Sequence, residues 1–131
     1  MDRRRRTRGS VLIMVVFVVA LLSAVVMGML QINTEEIQLM QNHLYAAEAL
    51  ATAEAGLEDA LMWLRLDKNW DDGFAGKSFN GGSYTVTVSS DTIESEGTTV
   101  RGFMARVAAD FTAVGGLSPY TIKINALRIN E

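Results

Sequence analysis

Residues 3–30 read RRRRTRGSVLIMVVFVVALLSAVVMGML, an arginine-rich stretch followed directly by an apolar one. From Val11 to Leu30 the chain carries no formal charge, and only Ser23 and Gly28 interrupt the apolar run. A helix of this length, rising about 1.5 Å per residue, spans the roughly 30 Å hydrocarbon core of a bilayer. The stretch therefore predicts a transmembrane helix at residues 10–30, preceded by a basic segment at residues 1–9.

The length of the apolar segment and the residues on either side of it indicate whether it is cleaved off or retained. A cleavable secretory signal has a shorter apolar region, of roughly 7–15 residues, followed by a small-residue cleavage site. Here the next residues, QINTEEIQLMQNHLYAAEAL, have the composition of a continuing helix, so we expect the apolar segment to be retained. Basic residues beside a spanning segment stay on the cytoplasmic side, which places the C-terminal body outside the cytoplasm. The residues that set this topology are Arg3, Arg4, Arg5, Arg6 and Arg8.

The charge of the remaining chain excludes one class of partner. Beyond Gly9 there are seven basic and fourteen acidic residues, a balance of −7. Such a body repels phosphate, so the sequence does not indicate a nucleic-acid partner. Cysteine is absent, which excludes disulfides, thiolate metal sites and thiol nucleophiles.

Residues 31–66 continue the helical pattern without a proline. Apolar residues recur at spacings of three, four and seven, which predicts an amphipathic helix that continues the membrane segment. This stripe comprises Ile37, Met40, Leu44, Ala47, Leu50, Ala51, Leu57, Leu61 and Leu64. The adjacent carboxylates of Glu35 and Glu36 point about 100° apart on such a helix and cannot share one site. We expect them to be solvated or paired with another subunit.

The pattern changes after the helix. Residues 67–82, DKNWDDGFAGKSFNGG, predict a loop because glycine and acidic residues break every period. Residues 83–131 alternate instead, which predicts about four antiparallel strands, the second of them ending in a turn at Gly97. In the last strand, Tyr120, Ile122, Ile124 and Ala126 are expected to share one face. The fold class is therefore α+β, with the C-terminal half of the helix covering a small antiparallel sheet.

Few residues in the sequence suggest a catalytic or metal-binding site. His43 is the single histidine, and no serine stands in a nucleophile motif, so we expect no enzyme. One cluster ahead of Gly73 has the spacing of oxygen ligands in a calcium loop, although Ser78 stands where such a loop places its glutamate. Calcium is thus the one cofactor hypothesis, and a polar turn is the alternative. The cluster is Asp67, Asn69, Asp71 and Asp72.

The segments RGSVLIMVVFVVALL and TEEIQLMQNHLYAAEALATAEAGL, with the strands after GGSYTVTV, resemble type IV pilin-like proteins. The resemblance is closest to PilX-type minor pilins and looser to the K-type minor pseudopilin of type II secretion. It implies that a prepilin peptidase cuts between Gly9 and Ser10 and that Ser10 becomes N-methylated. It also implies assembly with other pilin or pseudopilin subunits at an inner-membrane platform, and then a filament outside the cytoplasm.

One position departs from this family. Major pilins have a glutamate at the fifth mature residue, which pairs with a neighbour's N-terminal amine, and here that position is Met14. A glutamate in the bilayer costs a few kcal/mol without a partner, so methionine removes both the cost and the attraction. The resemblance then implies a minor, initiating or tip subunit. The alternative is a signal-anchored, single-pass protein whose outer domain binds a ligand.

Overall fold

A computed structural model describes residues 3–130, with side chains from residue 8 to residue 129. It contains one helix and five strands, which confirms the predicted α+β class and adds one strand to the expected number. The elements are α1 (Arg3–Leu66), β1 (Phe74–Phe79), β2 (Gly82–Val88), β3 (Thr92–Thr98), β4 (Met104–Val114) and β5 (Thr121–Asn130).

The chain divides into two compact units between Gln41 and Asn42. The first unit consists of the N-terminal part of α1, which holds one segment long and apolar enough to cross a membrane. None of this segment is buried within the protein. Its side chains therefore meet lipid or other molecules rather than a core of their own. The second unit contains the rest of α1 and the sheet.

The sheet is an antiparallel meander in the order β1-β2-β3-β4-β5. Its additional strand, β1, lies inside residues 67–82, for which the sequence predicted a loop. The prediction was wrong because β1 lacks a regular alternation. The register shifts between Phe74 and Lys77, and Gly76 between them has a positive φ of 59°. A bulged edge strand of this kind has no two-residue period to recognise.

The core lies between α1 and the inner face of β2, β3 and β4. The predicted alternation is confirmed in β2 and β4, where the apolar side chains on one face are buried. The buried face of α1 consists mainly of alanines, whereas Ile37, Met40 and Leu44 of the predicted stripe are exposed. On α1 the buried apolar residues are Ala49, Ala53, Leu57, Ala60 and Leu64.

Two glycines set how closely α1 approaches the sheet. Gly97 lies inside β3 and is buried, so the turn predicted there is wrong. A Cβ on Gly97 would overlap the backbone nitrogen of Ala53 and lie 2.6 Å from the carbonyl oxygen of Ala49. A Cβ on Gly56 of α1 would similarly overlap the hydroxyl of Ser95 in β3. Gly97 is therefore required for close contact with the backbone of α1 rather than for a turn, and Gly56 leaves room for side chains of the sheet.

A bulge in β5 changes which of its residues share a face. Asp110 pairs with Ala126 and Phe111 pairs with Ile124, so Asn125 is the extra residue. Its side-chain amide donates a hydrogen bond of 2.7 Å to the hydroxyl of Thr112. Beyond the bulge the facing is reversed, so Leu127 rather than Ala126 lies on the same side as Ile124. The predicted common face of Ile124 and Ala126 is therefore corrected.

Candidate functional site

The residues implicated in membrane insertion and processing all lie on α1. Gly9, Ser10 and Met14 are helical and exposed, and the side chain of Met14 is 70% exposed. A Cβ on Gly9 would meet nothing within 4 Å, so packing inside the chain does not require this glycine. Arg8 is exposed, whereas the side chains of the other four arginines lie outside the described residues.

Glu35 and Glu36 lie on the same helix, in the first unit. Both are exposed, and neither joins an ion pair among the described side chains. Consecutive helical positions diverge by about 100°, as the sequence indicated. The structure therefore leaves both carboxylates accessible and does not bring them together into one site.

The proposed calcium ligands lie in the turn between α1 and β1. The carboxylate of Asp67 accepts a hydrogen bond of 2.9 Å from the backbone nitrogen of Asn69, which closes the turn. Asp71 and Asp72 are exposed, and the described residues contain no group of three acidic, histidine or cysteine side chains able to hold a metal ion. Asp67 and Asn69 thus lie in a turn that follows the helix, with Asp71 and Asp72 after it.

A polar cluster at the helix–sheet junction was not predicted. Asp59 of α1 accepts hydrogen bonds from the ammonium of Lys77 in β1 and, at 2.6 Å, from the hydroxyl of Tyr84 in β2. The ammonium of Lys77 also lies 4.5 Å from the centre of the Phe74 ring. The Asp59 side chain is 16% exposed and that of Lys77 is 47% exposed. The cluster therefore ties α1 to the first two strands at the border of the core.

Each group in this cluster has a shifted pKa. Burial acts to raise the pKa of Asp59, but the hydrogen bonds from Lys77 and Tyr84 outweigh it and hold this pKa below its ordinary value. The pKa of Lys77 is raised, mainly by its hydrogen bond to Asp59. The pKa of Tyr84 is raised by burial and then by its bond to the carboxylate. At neutral pH the cluster thus contains a carboxylate, an ammonium and a neutral phenol, an arrangement that stabilises the fold.

Asp59→Asn is expected to lower the free energy of unfolding by about 1–2 kcal/mol at pH 7, because the amide accepts a weaker bond from Tyr84. The folded pKa of Asp59 is depressed, so its contribution is complete above the unfolded value of about 4 and is lost as pH falls through the folded value. Urea unfolding in non-ionic micelles at pH 7 and at about pH 2, followed by tryptophan fluorescence, measures both effects.

Glu58→Gln is the matched control for this pair of measurements. Glu58 is exposed on the same helix, has no ion pair among the described residues, and should change the free energy of unfolding little at either pH. A deficit of Asp59→Asn that is equal at neutral and acid pH would show that ionisation of Asp59 contributes nothing.

A row of aromatic side chains extends from the polar cluster towards the end of α1. The Trp63 and Trp70 rings stack with centroids 6.1 Å apart, and Trp70 lies 5.3 Å from Phe74. Phe74 in turn meets the edge of Tyr84 at 5.9 Å. Trp70 and Phe74 are thus half-buried and pack against the core beside β1.

The outer face of the sheet carries ion pairs instead of an apolar surface. Arg106 of β4 bonds to Glu94 at 3.1 Å and to Glu96 at 2.7 Å, both in β3. Arg128 of β5 bonds to Asp110 of β4 at 2.7 Å. These pairs join neighbouring strands, and their charges largely cancel. They therefore support the register of the sheet rather than an attraction for a charged ligand.

Sequence reasoning missed Asp59, Lys77 and the two contact glycines, although partial signals existed. The contact of Lys77 with Asp59 could not be predicted because residues 67–82, which contain its strand, were predicted to form a loop. Gly56 in the middle of a helix and Gly97 in the middle of an alternating stretch both contradict local propensity. Such glycines indicate close packing, which could have located the crossing of α1 over β3.

Comparison with known proteins finds no matching family model, no matching curated protein and no matching solved structure. Functional conclusions for this chain therefore rest on its own residues and on their arrangement.

Proposed function

We propose that the chain is a minor pilin-like or pseudopilin-like subunit, with a structural rather than a catalytic role. The observation that carries the proposal is the uninterrupted course of α1, from Arg3 through the apolar segment to Leu66. A helix that serves only as an anchor has no need to continue without a break into the packed domain. A helix used in assembly needs this continuity, because the same rod must leave lipid and pack among other rods.

The exposed surface of the first unit supports the same proposal. Beyond the apolar segment, large apolar side chains on α1 remain exposed by more than half, and the sheet does not bury them. Packing against helices of other subunits would cover them. These residues are Ile32, Ile37, Leu39 and Met40.

Met14 favours a minor subunit over an abundant one. A glutamate at this position would have to find a cationic partner in the membrane, and the methionine neither needs nor attracts one. In a filament whose subunits pair through such a glutamate, a chain with Met14 can join only where this pairing is dispensable. We therefore propose an initiating or tip position.

Processing and localisation complete the proposal. A prepilin peptidase would remove residues 1–9 on the cytoplasmic side, and Ser10 would become the N-methylated first residue. The mature chain would reside in the inner membrane with its C-terminal domain outside the cytoplasm, in contact with the assembly platform. From there it would enter a periplasmic or extracellular filament with other pilin-type subunits.

Cleavage after Gly9 is the most direct test of this function. Expressed with an active prepilin peptidase, the full chain is expected to lose residues 1–9, and the Gly9→Leu variant should retain them because the bulky side chain replaces the small residue at the cut. Intact mass and N-terminal sequencing of membrane-extracted protein measure both results.

Gly28→Ala provides the control for this experiment. Gly28 lies on the same helix, and an added Cβ there would also meet nothing within 4 Å, so processing should be unaffected. A wild-type chain that keeps Arg3 to Arg8 beside an active peptidase would overturn the pilin-like proposal and favour the signal-anchored alternative.

A further inference from the structure

Strand β5 forms one edge of the sheet. Nine of its ten residues pair with β4 on one side, and no described strand lies on the other. The backbone groups on that open side are free to pair with another extended chain. The opposite edge, β1, is shorter, with six residues and a break in register. Of the two edges, β5 therefore offers the longer template.

The inner face of β5 is apolar, and beyond Ile122, which packs against the core, it is uncovered. Ile124, Leu127 and Ile129 pair with Phe111, Ala109 and Val107 of β4, and opposed residues of an antiparallel pair project to the same face. The three β4 residues are buried, whereas the three on β5 are 44%, 54% and 49% exposed. The cover that α1 gives to β4 therefore does not extend to β5. The bulge at Asn125 is what brings Leu127 and Ile129 to this side.

The outer face of β5 is basic. Lys123 and Arg128 are its charged residues, and no carboxylate occurs between Thr121 and Asn130. Arg128 is paired with Asp110, while Lys123 forms no ion pair among the described residues. Lys68 adds a further cation beside the start of this strand, 5.7 Å from the centre of the Tyr120 ring. This edge is therefore positive on a body that is otherwise acidic.

We propose that β5 receives an extended segment of a partner protein in which apolar residues alternate with acidic ones. The backbone of the segment would continue the sheet, its apolar side chains would cover Ile124, Leu127 and Ile129, and a carboxylate of the segment would face Lys123, which has no ion-pair partner among the described residues. This interaction is independent of the proposed function, since any protein with this body could use it.

A second copy of the chain does not satisfy the same requirements. If two β5 strands paired antiparallel along Thr121–Asn130, Lys123 of one copy would stand directly opposite Arg128 of the other. Like charges in opposed positions destabilise a sheet. The occupant therefore differs from β5 in charge, although it shares the alternation of polar and apolar residues.

Binding of two labelled peptides to the full chain in non-ionic micelles tests the proposal. The first peptide, about nine residues long, alternates valine with glutamate, and the second has lysine in place of each glutamate. Fluorescence anisotropy is expected to show at least tenfold tighter binding of the acidic peptide. Lys123→Glu should remove this preference, and Leu127→Asp should weaken binding of both peptides about tenfold.

Arg101→Glu is the matched charge control, because it changes the net charge equally and lies outside β5, in the turn before β4. Circular dichroism confirms that each variant is folded. The proposal is overturned if both peptides bind alike, or if Arg101→Glu acts as strongly as Lys123→Glu. It is also overturned if an acidic peptide with valines at helical spacing binds better, or if sedimentation shows that the chain dimerises through β5. None of these outcomes bears on cleavage after Gly9.

Discussion

Gly97→Ala is expected to lower the free energy of unfolding of the second unit by about 2–3 kcal/mol, at the upper end of the usual cost of overpacking. The added methyl group would overlap the backbone nitrogen of Ala53 and crowd the carbonyl of Ala49. Backbone atoms cannot rotate away as a flexible side chain can, so α1 must retreat from β3. Gly97→Val, which adds two further methyl groups, is expected to abolish the cooperative transition.

Urea unfolding of the full chain in non-ionic micelles measures this effect, with Trp63 and Trp70 as fluorescent probes. Gly116→Ala is the control, because a Cβ at this loop position meets nothing within 4 Å and the residue has no positive φ. Its free energy of unfolding should match that of the wild type within about 0.5 kcal/mol. If Gly97→Ala were equally neutral, the close crossing of α1 over β3 would be wrong.

The second large effect concerns the apolar segment. The triple variant Val19→Lys, Leu21→Lys, Leu22→Lys is expected to reduce the fraction of the chain in carbonate-washed membranes to less than a tenth of wild type. Each lysine near the middle of a span costs roughly 2.5–3.5 kcal/mol, whereas each Leu, Ile, Val or Phe contributes only roughly 0.3–0.6 kcal/mol in favour of insertion. Three lysines thus outweigh the remaining apolar residues.

The triple aliphatic exchange Val19→Leu, Leu21→Val, Leu22→Val keeps both length and hydropathy and should leave the membrane fraction unchanged. Quantitative immunoblots of washed membranes and of the soluble fraction compare the two variants. Full retention of the lysine variant would mean that the segment 11–30 does not anchor the chain.

The elements with a strong period were predictable from the sequence. The charge-free run from Val11 to Leu30 indicated a long helix, and the alternation of Tyr84, Val86 and Val88 indicated a strand with one buried face. The apolar run is recognised by its length and by the absence of charge. In the strand, burial of one face against the core fixes the two-residue spacing of the apolar residues. The fold class follows from the succession of these two periods.

Contacts between elements were not predictable in the same way. Leu57 and Leu64 of the predicted stripe are buried, whereas its first members, Ile37, Met40 and Leu44, are exposed. The small residues Ala49, Ala53 and Ala60 complete the packed face, and their size gave no signal of burial. The bulge at Asn125 depends on a hydrogen bond to Thr112 in another strand. Neither feature has a local signature.

In the candidate site too, local sequence features could be predicted and contacts between elements could not. Gly9, Ser10 and Met14 could be proposed from the sequence because the resemblance to pilin-like proteins assigns roles by distance from the apolar segment, and these roles stay predictions. Asp59, Lys77 and Tyr84 come from three different elements, so their proximity depends on the fold. Calcium binding by the acidic residues after Leu66 stays a prediction, because ligand-like spacing in a sequence does not by itself fix where the side chains lie.

The strand order of the sheet bears on how the chain reaches its folded state. Every pairing among the described strands joins consecutive strands, so each hairpin can close without a distant partner. Pairings between near neighbours keep the contact order low, which favours rapid folding. Docking of the sheet onto α1 is the one distant step, and it is completed at Gly97. Each inner strand therefore finds both of its partner strands next to it in the sequence, so no inner strand stays unpaired until a distant one arrives.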